Sequence, residues 1–180
     1  SLTAPQKRSW PPAEGPDTPK ICLGLRPDID EAGMRRVKQI GVDYVLMGGP
    51  PIPWTEDVLR ERMNRFKAGG LTVCNMMISG FPNTLYGRPG RDEEIEKVRQ
   101  SIRAAGKVGL PVVEYNFYAH RIVEGYYEEL GRAGAGMTAF DYDKVKDLPP
   151  LPEVGAHNLE AMWGNCAYFL KAVVPVAVEA

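Results

Sequence analysis

The sequence is poor in the residues that most often carry chemistry on their own. With only two histidines, His120 and His157, in 180 residues, no Ser-His-Asp set can be argued. No close grouping of His, Cys, Asp and Glu marks a self-contained metal site. The three cysteines, Cys22, Cys74 and Cys166, are too widely spaced for a zinc ribbon or a C-x-x-C redox pair. Cys22 and Cys74 lie in apolar runs, which predicts buried thiols. No G-x-G-x-x-G follows an apolar run, which argues against a dinucleotide fold. Gly131-Arg-Ala-Gly134-Ala-Gly136 is glycine-rich but falls within a loop and reads as flexible chain. A formal charge of −1 gives no reason to expect nucleic acid or an anionic membrane as partner. No apolar run approaches the roughly 18 residues of a membrane span; the nearest, Leu170 to Val178, is broken by Lys171 and Pro175. The chain does not open on Met, so a removed leader or a cloning remnant is expected, and an exported mature form stays open.

What the sequence has is punctuation. Residues 1–20 carry five prolines and no apolar period, and read as an extended arm. From residue 21 onward, short apolar runs alternate with amphipathic segments. Ile21–Leu25, Val42–Met47, Leu71–Ile78 and Val112–Phe117 read as buried strands. Helices are predicted between them, capped by Asp28 or Asp30 and by Thr55. A third begins near Asp92, with acidic residues in its first turn, where the helix dipole favours them. One phrase recurs: Lys38-Gln-Ile-Gly41-Val, Lys67-Ala-Gly69-Gly-Leu and Lys107-Val-Gly109-Leu each place a basic residue, a helix-ending glycine and an apolar strand in succession. A long loop is expected over Ser79–Gly90 and a Gly-, Tyr- and Pro-rich insertion over 119–156. A final helix starts near His157 or Asn158, and Pro175 should kink or unwind its last turns.

Repeated βα units with right-handed crossovers put every helix on one face of a parallel sheet. The fold class expected is α/β, a (β/α)8 TIM barrel of which residues 21–180 supply about the first four βα units, the N-terminal half. Such barrels take about 250 residues and eight strands. A half-barrel alone leaves apolar side chains and two sheet edges open to water. The rest is expected from a second chain, from a homo-oligomer that closes the ring, or from sequence beyond Ala180. A doubly wound sheet is the structural alternative and would require a reversal of strand order.

In parallel α/β sheets, ligands gather at the C-terminal strand ends. Here these ends hold Arg26, Met47-Gly48, Met77–Ser79 and Glu114 to His120. Glu114 and Asn116 share one parity, Tyr115 and Phe117 the other. Two polar groups facing inward near the end of a buried strand must be paired or used. Asn116, Glu114 and Tyr115 are therefore candidate substrate contacts. His120, Arg121 and Arg26 are candidate partners for a carboxylate or phosphate on the rim. No catalytic residue is assigned.

Val113-Glu-Tyr-Asn-Phe117, together with Trp163-Gly-Asn-Cys-Ala-Tyr168-Phe-Leu-Lys-Ala-Val-Val-Pro175-Val-Ala, resembles mannonate dehydratase, within the xylose-isomerase-like barrels that include sugar isomerases and epimerases. The resemblance implies a small-molecule sugar-acid substrate, cytoplasmic location and a divalent metal, typically manganese, whose ligands are expected beyond residue 180. It implies dehydration of mannonate to 2-keto-3-deoxygluconate by α-proton abstraction and loss of water. Of the family's site only Asn116, with Tyr115 beside it, carries over. A sugar or sugar-phosphate isomerase or epimerase of the same barrel class is the first alternative. A half-barrel that binds without chemistry is the second.

Overall fold

The computed structural model describes residues 15, 18–117, 125–150 and 155–180. Four strands, β1 (Cys22–Gly24), β2 (Tyr44–Gly48), β3 (Thr72–Ile78) and β4 (Val112–Tyr115), form one parallel sheet in the order β1-β2-β3-β4. Strand order follows chain order without reversal, so the doubly wound alternative falls away.

Helices α1 (Glu31–Gln39) and α2 (Glu56–Ala68) follow the first two strands. Both begin where the sequence offers a cap: Asp30 accepts from the Gly33 N–H at 2.7 Å, and Thr55 from the Val58 N–H at 3.4 Å. The segment predicted as a long loop holds a short helix, α3 (Pro82–Tyr86), before α4 (Arg91–Val108). A proline in the first turn and Gly87 in the left-handed region at φ 66° bound α3, too short a piece to show a period in the sequence. Residues 125–150 of the expected insertion contain an antiparallel hairpin of β5 (Tyr126–Leu130) and β6 (Gly136–Phe140), and the glycine-rich run forms its turn. The chain ends in α5 (Leu159–Glu179), capped by Asn158.

α5 runs through Pro175 to Glu179, so its last turns are not unwound. The carbonyl that Pro175 leaves without a helical partner is that of Lys171, and both residues are exposed, so water can take the lost bond. By length and composition α5 could cross a membrane, yet its Phe169, Val173 and Val176 are buried in the described structure.

The core lies between sheet and helices. Val45, Met47, Val73, Met76 and Ile78 point into it, against Leu59, Phe66, Val98 and Phe169. The alternate residues, Tyr44, Leu46, Cys74, Asn75 and Met77, are only half-buried, because the described residues leave the opposite face of the sheet open. Cys22 and Cys74, expected as buried thiols, lie on that face and are half-buried.

Candidate functional site

The strand ends are stitched together before any ligand is considered. Beyond β2, the Gly49 N–H donates to the Met77 carbonyl at 2.8 Å, extending the pairing into the rim. Arg62 of α2 holds the Gly48 carbonyl at 2.9 Å; burial, and Arg65 nearby, push its guanidinium pKa down. Gly49 is needed as glycine, since a Cβ there would lie 2.1 Å from the Trp54 ring. Trp54 is buried and donates its indole N–H to the Pro50 carbonyl at 2.7 Å.

The loop after β3 is fastened from two sides. Glu94, buried in α4, accepts from the Asn83 N–H (3.1 Å), the Thr84 N–H (2.7 Å) and the Thr84 hydroxyl (2.9 Å). The first-turn acid expected to serve its own helix dipole instead caps α3. From α5, Asn165 donates to the Leu85 carbonyl at 3.1 Å, and the Tyr168 hydroxyl donates to Asp92 at 2.7 Å while Arg91 stacks on its ring. Phe169 is the hub beneath: its ring lies 5.2 Å from Phe81, 5.3 Å from Tyr115 and 5.6 Å from Phe117. The Asn165-Cys-Ala-Tyr168-Phe169 motif is thus a clamp on the rim rather than part of its lining.

On the open face above this clamp lies a polar wall. The β3–β4 register sets Met77 opposite Glu114 and Ile78 opposite Tyr115. Glu114 accepts a short hydrogen bond from the Asn75 side-chain amide, and Asn116 donates its amide to the Met77 sulfur at 3.1 Å. Because the Glu114 carboxylate accepts, the Asn75 nitrogen must face it, which turns the Asn75 oxygen away. That oxygen is buried and has no hydrogen-bond partner among the described residues. Gly48 lies at the level of Met77 and Glu114 without a side chain, and a Cβ on it would meet nothing within 4 Å, whereas Leu46 stands between Gly24 and Asn75. A cavity of about 210 Å³ opens at the top between β3, its loop and Asn116.

The predicted parity of β4 is observed: Tyr115 and Phe117 pack towards α5, Glu114 and Asn116 turn the other way. Tyr115 therefore backs the wall and does not share the open face with Asn116. Burial, and to a lesser degree Cys166, push its hydroxyl pKa up. Arg26 is not a free cation, because Asp28 binds it in a bidentate ion pair at 2.8 and 3.0 Å. That pairing holds the Asp28 carboxyl below its ordinary range and raises the Arg26 pKa. His120 and Arg121 lie outside the described residues. Asn75 was missed by sequence reasoning; its signal was a lone amide in the apolar run from Leu71 to Ile78. Among the described residues no three His, Cys, Asp or Glu side chains converge to hold a metal ion.

Four sequential parallel strands, helices on one face and a polar wall at the C-terminal strand ends define a TIM-barrel type of α/β protein, present as about half a ring. No family model matches the chain. Among curated proteins it is similar to mannonate dehydratases. It is 24% identical to that of Oceanobacillus iheyensis over 84% of this chain and 52% of the relative. It is 33% identical to that of Streptococcus pneumoniae over 71% and 42%, respectively. Among solved structures, the mannonate dehydratase of Streptococcus suis serotype 2 matches with a TM-score of 0.75 and 24% identity over 89% of this chain and 50% of that one. A D-psicose 3-epimerase from Clostridium cellulolyticum matches the fold with a TM-score of 0.52 at 13% identity, over 88% and 48%. The chain is a mannonate dehydratase-like member of this barrel class, and it spans about half the length of the curated relatives it matches.

Proposed function

We propose that the chain forms one wall of a sugar-acid dehydratase site, in which Asn75, Glu114 and Asn116 bind and orient the hydroxyl groups of a mannonate-like substrate. The observation that carries this reading is the orphaned Asn75 oxygen. A buried acceptor without a donor costs about 1–3 kcal/mol, and a substrate hydroxyl that donates to it relieves that cost. Gly48 on β2 leaves the room, and the relatives' name supplies the substrate class.

Dehydration removes a proton α to the carboxylate and a hydroxyl from the neighbouring carbon. The residues of this wall hold the polyol chain so that both groups are presented in one geometry, and the aromatic floor of Tyr115, Phe117 and Phe169 keeps water out from below. No general base is assigned among them. The divalent metal implied by the resemblance, manganese in its typical form, finds no three-ligand set among the described residues. The steps assigned to this wall are binding and orientation only.

Calorimetric titration of the full chain with mannonate, with a neutral ketohexose as comparison, tests the reading. Mannonate should bind saturably, and Asn75→Ala or Asn116→Ala should weaken it by roughly tenfold or more, as loss of one or two substrate hydrogen bonds requires. Unaltered binding in both variants, or preference for the ketohexose, would overturn it.

A further inference from the structure

We propose that Cys22 and Cys74 form a dithiol site for a soft, two-coordinate cation of the monovalent copper class. The pair lies on the same open face just below the polar wall, Cys74 preceding Asn75 in β3, and the proposal does not depend on the sugar-acid reading.

The Cys22 and Cys74 sulfurs are 3.0 Å apart, although they belong to strands that are not neighbours. The register explains the meeting. Cys22 pairs with Tyr44, which pairs with Thr72, and Cys74 lies two residues further along as the extra residue of a bulge against Val45-Leu46. In a tilted barrel, alternate strands contribute side chains to one interior layer. These two thiols are the β1 and β3 members of the lowest such layer.

Strand order then decides what the pair can do. β2 lies between β1 and β3, and a disulfide, with its sulfurs about 2.05 Å apart, would draw the 3.0 Å pair closer still across that middle strand. A bridging cation asks for the reverse movement. Two metal–sulfur bonds of about 2.3 Å place the sulfurs up to roughly 4.6 Å apart, which rotation of the side chains supplies without moving the sheet. Thiolates select soft cations, and no third His, Cys, Asp or Glu is placed to complete a higher-coordinate site among the described residues.

Binding is an exchange: one monovalent cation replaces the two thiol protons, forming two metal–sulfur bonds with no change of oxidation state. The bis-thiolate product carries one negative charge.

The test is anaerobic titration of the full chain with copper(I) as its acetonitrile complex, against a competing chelator, with proton release followed in weak buffer. Wild type and Cys166→Ser should bind one copper and release two protons. Cys22→Ser and Cys74→Ser should lose affinity by at least roughly a hundredfold. Should a serine variant fail to fold by circular dichroism, X-ray absorption of copper-loaded Cys166→Ser decides: two sulfur neighbours and no others are expected. Release of a single proton, equal binding by folded Cys22→Ser, loss of binding in Cys166→Ser, or ready conversion of the pair to a disulfide in air would each overturn the proposal.

Discussion

Replacing Glu94 by Gln separates a rim clamp from an ordinary surface acid. Glu94 is 8% exposed and accepts three hydrogen bonds, two on one oxygen from Thr84 and one on the other from the Asn83 N–H. Glutamine offers one acceptor. If its carbonyl keeps the Thr84 pair, its NH2 faces the Asn83 N–H, so one bond is lost and two donors are opposed. Hydrogen bonds to a charged group contribute about 1.5–3 kcal/mol each, and the two retained bonds weaken as the charge goes. The expected loss is about 2–3 kcal/mol. With a urea slope of about 2 kcal/mol/M, that lowers the unfolding midpoint by roughly 1 M. Hydrogen exchange adds a local readout: the Asn83 and Thr84 amides should lose protection before those of β2 and β3, because the loop is released first. A midpoint shift below about 0.25 M, or unchanged protection at Asn83 and Thr84, would refute the assignment of Glu94 as the fastening of the rim loop.

Phe169→Ala should cost about 3–5 kcal/mol, since a fully buried ring with three aromatic neighbours is removed. Thermal unfolding should show a drop of roughly 10 °C, and a drop no larger than that of Phe169→Leu would show that the hub does not hold the rim. Alkylation of Cys74, followed peptide by peptide by mass spectrometry, should stay slow through neutral pH and rise towards about pH 11. The sign follows from the pKa, which burial and then Cys22 raise: the folded state favours the protonated thiol. Its contribution is whole below the ordinary thiol range and is lost as pH climbs through about 11. A rate that levels off by about pH 9, as for a free thiol, would contradict the burial argument.

The strand and helix pattern was legible because each βα unit repeats its own local rules. Asp30, Thr55 and Asn158 cap helices by side-chain reach of three residues, and a helix-ending glycine before each strand sets the next turn. The parity of Glu114-Tyr115-Asn116-Phe117 follows from the strand period alone, and the structure shows it. Other features were not local. Whether Arg26 is free depends on Asp28 turning back to meet it, although either residue could have served elsewhere. Glu94 has the sequence position of a dipole-stabilising acid, and only the folding of α3 against α4 makes it a cap for another helix. Asn75 became notable once β4 brought Glu114 to its side from 39 residues away.

The sequence by itself determined the parallel α/β order, the alternation of faces along β4 and the family resemblance, because period, capping and motif are written in consecutive residues. Tertiary structure alone decided that Asn75, Glu114 and Asn116 make one wall, that the α5 motif clamps that wall from behind, and that Cys22 meets Cys74. Those meetings depend on register and strand tilt, which fix distances between residues far apart in the chain, and no local pattern encodes them.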